Sequence, residues 1–150
     1  MANYTREIAH MLDRLNTKTL AQDKDGYFRK SLKVKLNLLE MLIIKQIGEQ
    51  QEIKLNQLIK LMEVDRNLIT TTIKRLIGLK LLQKKADGAD GRSQVISVTP
   101  AGKELYDALL VEQQKELDFI LNDITINEEK TILKFISKIV QYHTEKYEIK

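Results

Sequence analysis

The side chains best suited to specific recognition chemistry lie on one side of a helical segment near the middle of the chain. Apolar residues at Ile69, Ile73 and Leu76 recur at helical spacing and mark its buried side. The opposite side carries Arg66, Asn67, Leu68, Thr70, Thr71 and Lys74. Asparagine can pair with adenine, and threonine can hydrogen-bond a base or touch a thymine methyl group. This side can therefore read DNA bases, although an ordinary solvated helix face is the alternative.

A second group of charged residues follows that segment. Lys84 and Lys85 are expected to meet phosphates. Arg92 lies in a glycine-rich stretch, where a guanidinium can enter a narrow minor groove, and Asp90 can brace it from two residues earlier. The alternative for this pair is a surface ion pair at a loop tip. Arg75 lies farther along the same helical segment than the end that would enter a groove, and it can instead have a structural role by pairing with an acid in the glycine-rich stretch.

The distribution of charge favours a polyanionic partner for the middle of the chain. Ten basic and four acidic residues lie between Lys54 and Lys103, a net charge of +6 in a chain of 150 residues whose total is +4. The remaining residues therefore carry about −2. A basic centre between near-neutral ends predicts that the centre contacts nucleic acid.

Several other classes of function find no support in the residues. The chain has no cysteine, which excludes disulfides, thiolate metal sites and thiol catalysis. We find no nucleophile with a nearby base and no phosphate-binding loop, so we predict neither catalysis nor a cofactor or metal. His10 and His143 can meet across an interface to bind metal or sense pH, but two ordinary histidines are the simpler interpretation.

The chain also has no apolar run long enough to span a membrane. Its densest run, from Leu36 to Ile47, is interrupted by Asn37, Glu40 and Lys45. With no N-terminal signal-like segment, we expect a cytoplasmic protein that has no membrane partner.

Four helices are predicted before the basic region ends. The first is amphipathic and fades near Gln22 to Gly26, and the second covers the Leu36 to Ile47 run with Gly48 as a left-handed stop. Asn56 is expected to cap a short third helix, and Asp65 a fourth that runs to about Leu81. The third and fourth helices together predict a helix-turn-helix.

The pattern then changes to strands and back to helices. Segments 82–86 and 93–98 have strand character and are joined by a glycine-rich turn, which predicts a β-hairpin. Thr99-Pro100 is a strong start for a fifth helix to about Asn122, and Thr125 to Glu128 has the spacing of a capping box for a sixth. A hairpin after a helix-turn-helix makes a winged helix. The predicted class is thus mainly α with a small β-hairpin wing (α+β).

The terminal helices carry more apolar surface than so small a module needs, which predicts a twofold homodimer. The first and sixth helices supply the expected interface residues, Tyr4, Ile8, Met11, Leu12, Leu15, Ile132, Ile136, Ile139 and Val140. We therefore expect a single domain over residues 1–150, with a DNA-binding module at about 32–99 and dimerisation helices at about 1–31 and 100–150.

Residues 87–105 resemble the wing signature of the multiple antibiotic resistance regulator (MarR) family. The positions in register are Asp90, Arg92, Val98, Thr99 and Gly102. The segment from Val64 to Leu76 is similar to the recognition helix of that family, although Glu63 and Lys80 stand where the family often has glycine. If these two residues are left-handed, they carry backbone strain.

This resemblance implies a transcriptional regulator, most simply a repressor, that binds a pseudo-palindromic operator in double-stranded DNA. It also implies release of DNA when a small aromatic or lipophilic effector occupies a cleft between the dimerisation helices and the winged module. The rival interpretation is a winged-helix module for protein interaction without DNA binding. That rival predicts an acidic or apolar recognition face, whereas the central region is basic.

Overall fold

The computed structural model describes residues 3–29, 34–86 and 94–148 and has the predicted order of helices and hairpin. In chain order the elements are α1 (Thr5–Asp25), β1 (Tyr27–Arg29), β2 (Val34–Leu36), α2 (Leu38–Gln50), β3 (Glu52–Lys54), α3 (Leu55–Met62), α4 (Arg66–Gly78), β4 (Leu82–Ala86), β5 (Gln94–Val98), α5 (Pro100–Ile120) and α6 (Ile126–Glu148). The predicted fold class, mainly helical with a small wing, is confirmed. The chain divides into two compact units, residues 1–109 and 110–150, and the boundary falls within α5.

The core of the first unit forms around α2. Ile43, Ile44 and Ile47 of this helix are fully buried. They belong to one apolar cluster with side chains from α3, α4, β4, β5 and the first half of α5. Burying each such side chain contributes about 1.5–3 kcal/mol. The helix-turn-helix is therefore held against a rigid support.

The wing strands belong to a three-stranded antiparallel sheet. β5 lies in the centre, with β4 on one side and β3 on the other. Strand β3 was not predicted, because its three residues have no alternating apolar pattern. They form a strand only through their backbone pairing with β5. The separate β1–β2 hairpin, in which Tyr27 pairs with Leu36, was missed for the same reason.

Two of the predicted caps are confirmed. The Asp65 carboxylate accepts a hydrogen bond from the Leu68 backbone N–H at 3.1 Å, so α4 begins where expected. At α6, the Thr125 hydroxyl accepts from the Glu128 N–H at 3.2 Å, and the Glu128 carboxylate accepts from the Thr125 N–H at 2.9 Å. This is the reciprocal capping box that the sequence spacing predicts.

Two other local predictions are wrong. Gly48 does not end α2 but is a buried residue inside it. A glycine is required there because a Cβ would collide with the Tyr106 ring. The helix instead ends at Gln50, and the residue that follows it, Gln51, has a φ of 69°. Asn56 lies within α3, whose first residue is Leu55, and Lys54 precedes it without a side-chain cap.

The two terminal helices differ from the rest of the fold in their burial. No residue of α1 is buried, and Tyr4, Ile8, Met11 and Leu15 are exposed. Along α6, Ile132, Leu133, Ile136 and Val140 are exposed as well. None of the helices in the described ranges is both long and apolar enough to cross a membrane.

Candidate nucleic-acid interface

The helix-turn-helix turns sharply at a residue with a strained backbone. α3 ends at Met62, and Glu63 adopts left-handed dihedrals with a φ of 54°, while its N–H donates to the Ile59 carbonyl at 3.2 Å. Glu63 is one of the two non-glycine residues that were expected to carry strain if left-handed, and it does adopt the left-handed conformation. Such a conformation costs about 1–2 kcal/mol, which the packing of the two helices must offset.

The start of α4 presents the predicted recognition face to solvent. Ile69, Ile73 and Leu76 are buried on the opposite side of this helix, as expected from their spacing. Arg66, Asn67, Thr71 and Lys74 are exposed, Thr70 is half-buried, and the Leu68 side chain is 49% exposed although it is apolar.

Hydrogen bonds along α4 fix which hydroxyl groups are available. The Thr72 hydroxyl is buried and donates to the Leu68 carbonyl at 2.7 Å, so it serves the helix itself. The Thr70 hydroxyl donates to the Asn67 carbonyl at 3.1 Å. Since that bond uses only its proton, the Thr70 oxygen can still accept a hydrogen bond from a base.

A cleft of about 390 Å³ separates α4 from the wing strands. Thr70 and Lys74 of α4, Lys84 of β4 and Gln94 of β5 supply its polar lining. The apolar lining includes the buried residues Ile73 and Ile96. The structure thus brings Lys74 and Lys84, predicted from separate elements, to the two sides of one groove.

The sequence from Arg66 to Ala86 has one sign of charge. It contains six basic residues and no acidic residue. Lys84 and Lys85 are both exposed on β4, but the Lys85 ammonium lies 3.6 Å from the Glu52 carboxylate of β3. Part of the Lys85 charge is therefore already compensated within the protein, whereas Lys84 faces the cleft.

The end of α4 is tied to the start of α5 by a tight junction. Lys80 is left-handed with a φ of 64°, as anticipated for this second non-glycine position. The Thr99 hydroxyl donates to the Lys80 carbonyl at 2.6 Å and accepts from the Gly102 N–H at 3.0 Å. A Cβ on Gly102 would collide with the Leu81 carbonyl oxygen. The threonine-to-glycine spacing therefore joins the recognition helix to α5.

The structural pairing considered for Arg75 exists, but with a different acid. Its guanidinium forms an ion pair with Glu40 of α2 and not with an acid of the hairpin loop. No local pattern indicates this contact, because in the sequence Glu40 only interrupts an apolar run. Glu40 is only 2% exposed, so a buried carboxylate faces the recognition helix.

The predicted DNA-contacting roles of all these residues stay predictions. Asp90 and Arg92 lie outside the described residues. His10 and His143 are both exposed and belong to different units. Within the described ranges, no group of three or more acidic, histidine or cysteine residues is arranged to hold a metal ion.

Comparison with known proteins agrees with this geometry. Residues 36–102 match the winged helix DNA-binding domain family. These residues run from the end of β2 to the first turn of α5, so the match contains the whole helix-turn-helix, its sheet and the Thr99–Gly102 junction. Among curated proteins, none matches this sequence significantly.

Solved structures extend the similarity beyond the matched domain. FabT of Streptococcus pneumoniae in complex with DNA is 17% identical, with a TM-score of 0.80 over 95% of this chain and 99% of that one. A MarR protein from Peptoclostridium difficile is 21% identical, with a TM-score of 0.74 over 100% and 94%. BpsR of Bordetella bronchiseptica, whose DNA binding is regulated by 6-hydroxynicotinic acid, is 21% identical, with a TM-score of 0.68 over 89% and 98%. The chain is therefore a winged helix protein with the fold of the MarR-family transcriptional regulators.

Proposed function

We propose that this protein is a sequence-specific DNA-binding transcriptional regulator that acts as a homodimer on a pseudo-palindromic operator. The observation that carries the proposal is the exposed first half of α4, which presents Asn67, Thr70 and Thr71 beside a groove flanked by lysines. Residues near the start of a recognition helix are the ones that reach base edges in the major groove. The stretch from Arg66 to Ala86, which has six basic and no acidic residues, does not suit the rival role in protein interaction.

Each residue of this face has a proposed contact. Asn67 can pair with adenine, and the exposed Leu68 side chain and the Thr71 methyl group can touch thymine methyls. Arg66, Lys74, Lys84 and Lys85 suit phosphates, which fix the orientation of the module on the duplex. For the wing tip, we propose that Arg92 enters the minor groove and that Asp90 orients it.

A dimer follows from the apolar surface of the terminal helices. Helices α1 and α6 expose several large apolar side chains, and contiguous apolar surface of this kind marks an interaction site. We propose that these helices and α5 pack against a second copy of the chain. A twofold axis would then place two recognition helices about one DNA turn apart, roughly 34–36 Å.

We further propose that a small aromatic or lipophilic anion controls DNA binding. In support, a cavity of about 270 Å³ lies where the last turn of α1 meets the module. Its lining has three basic residues, Lys24, Lys35 and Arg75, and two acidic ones, Asp23 and Glu40, so basic residues outnumber acidic ones by one. An occupant shifts DNA binding only if it prefers one arrangement of the two recognition helices. A simple test is whether benzoate releases the protein from its operator, and no release at any soluble concentration would remove benzoate-type anions from consideration.

The experiment that tests the main proposal is selection of binding sites from random duplex DNA with the purified full chain. We expect a symmetric site whose halves are separated by about one helical turn. Recovery of an asymmetric motif would contradict the twofold arrangement, and recovery of no motif would contradict sequence-specific binding altogether.

A further inference from the structure

Glu40 is a charged side chain in the interior of the DNA-binding module. It is 2% exposed and lies in the first turn of α2. One carboxylate oxygen accepts a hydrogen bond from the Asn37 N–H at 2.9 Å, and the other pairs with the Arg75 guanidinium. A buried carboxylate costs several kcal/mol unless it is paired, so these two contacts offset part of the cost of burying Glu40.

The ion pair crosses from the central helix to the recognition helix. Arg75 lies in the last turn of α4, and its side chain is 53% exposed at the edge of the cavity that also contains Asp23 and Lys35. Because a guanidinium is planar and binds a carboxylate in preferred directions, the pair restricts the rotation of α4 about its own axis.

The same network reaches α1. The Asp23 carboxylate, in the last turn of α1, accepts a hydrogen bond from the Leu38 N–H at 2.7 Å. Asn37 caps the same end of α2 by accepting from the Glu40 N–H at 2.8 Å. One end of α2 is therefore bonded to α1 on one side and to the recognition helix on the other.

We propose that Glu40 and Arg75 are positioning residues that hold α4 at the angle at which its exposed face reads DNA. The inference rests on the proposed function and adds to it a residue that cannot contact DNA itself. Removing one partner of a buried ion pair destabilises a protein mainly by leaving the other charge buried and unpaired. The Arg75 side chain is 53% exposed, so water can solvate its guanidinium when Glu40 is replaced by the neutral glutamine. The expected consequence of that replacement is therefore a misdirected recognition helix rather than an unfolded protein.

The test measures the DNA-binding affinity of the Glu40→Gln variant and of the full-length parent protein. Each protein is titrated with the selected operator and with a scrambled duplex. Glutamine keeps the acceptor for the Asn37 N–H but removes the charge that Arg75 needs. We expect operator affinity to fall about tenfold, with scrambled-duplex affinity and the salt dependence of binding unchanged. The matched control is Asp107→Asn, which removes the carboxylate of an exposed ion pair with Lys103 and should leave both affinities unchanged.

A second variant, Arg75→Lys, distinguishes loss of the ion pair from a folding defect and from the loss of a positive charge that contacts DNA directly. Arg75→Lys keeps the positive charge but loses the planar guanidinium and its preferred directions of hydrogen bonding, so it should reproduce the operator-specific loss. Combining it with Glu40→Gln should add little, because both changes remove the same contact. Circular dichroism melting would show that the variants are folded at the temperature of the binding assay.

Three outcomes would overturn the inference. Unchanged operator affinity in a folded Glu40→Gln protein would refute positioning. Equal losses on operator and scrambled DNA, in proportion to lost folded protein, would reduce the pair to a stabilising contact. If the parent protein selects no site, the proposed function is refuted, and this inference falls with it. If the parent protein selects a site and the Glu40→Gln variant binds that site equally well, only this inference is refuted.

Discussion

The winged module and the terminal helices bury their apolar residues to very different extents. In the module, α2 contributes three fully buried isoleucines, Ile43, Ile44 and Ile47, to a core that α4, the sheet and α5 complete. α1 is longer, with 21 residues, yet none of them is buried. The module thus has a complete core within one chain, while the first and last helices have apolar surface without a partner.

This difference separates two kinds of structural requirement. The module must keep a fixed shape, because recognition depends on where a few side chains lie relative to the DNA grooves. The terminal helices need a second surface to bury their apolar side chains, and a second copy of the chain is the proposed source. Altering one region at a time therefore tests whether the other region responds.

The largest effect is expected from charge on the apolar surface of α6. In the Ile136→Asp, Val140→Asp double variant, each substitution removes about 1.5–3 kcal/mol of apolar burial per side chain and adds the cost of desolvating a carboxylate. Both side chains are exposed in the single chain, so the module should stay folded while the dimer dissociates or aggregates. Light scattering and analytical ultracentrifugation measure this directly.

The matched control for that variant is Lys138→Asp. This residue is also exposed on α6, and the substitution changes the net charge by the same amount as the double variant. It should leave the dimer intact. If the double variant remains a dimer, the interface does not use this part of α6, and the comparison between module and terminal helices loses its main support.

The next largest effect is expected within the module, from two glycines with opposite surroundings. Gly102→Ala forces a Cβ into the Leu81 carbonyl and should cost about 3 kcal/mol of unfolding free energy. Gly78→Ala meets nothing within 4 Å at the end of α4, and should leave stability unchanged or raise it by up to about 1 kcal/mol. Urea unfolding measures the free energy of unfolding of both variants and of the parent protein. Similar stabilities would mean that the α4–α5 junction is looser than described.

The residues that define these junctions show what the sequence can and cannot predict. Asp65, Thr99 and Thr125 were recognised because a cap bonds to a residue only three positions away. Gly48 was misread because the reason for a glycine there is the Tyr106 ring, which comes from a distant helix. The pairing of Glu40 with Arg75 and the strand β3 likewise depend on tertiary neighbours, so no local pattern announces them.

A smaller effect is expected from the recognition face. Replacing Asn67 or Thr70 with alanine should cost about 1–3 kcal/mol of operator binding for each good base contact, with little loss on non-specific DNA. Asn16→Ala supplies the control, since it removes the same exposed side chain from α1. Fluorescence anisotropy on both duplexes measures the difference. If both duplexes lose affinity equally, these residues contact the phosphate backbone instead of bases.

The smallest effect is expected at the start of α6, where the terminal helix has a stabilising contact of its own. The backbone N–H and the hydroxyl of Thr125 hydrogen-bond the Glu128 carboxylate and hold its pKa below the ordinary value. A lowered pKa in the folded state means that ionisation favours folding. This stabilisation is present above the unfolded pKa, about 4.3, and is lost as the pH falls through the lower folded value. A Glu128→Gln variant should therefore melt slightly below the parent protein at neutral pH, and the gap should close in acid. Glu129→Gln, in the same first turn, is the control for general effects of charge at a helix start. A gap that is the same at every pH, or equal for the two variants, would show that the Thr125–Glu128 box adds nothing to the stability of α6.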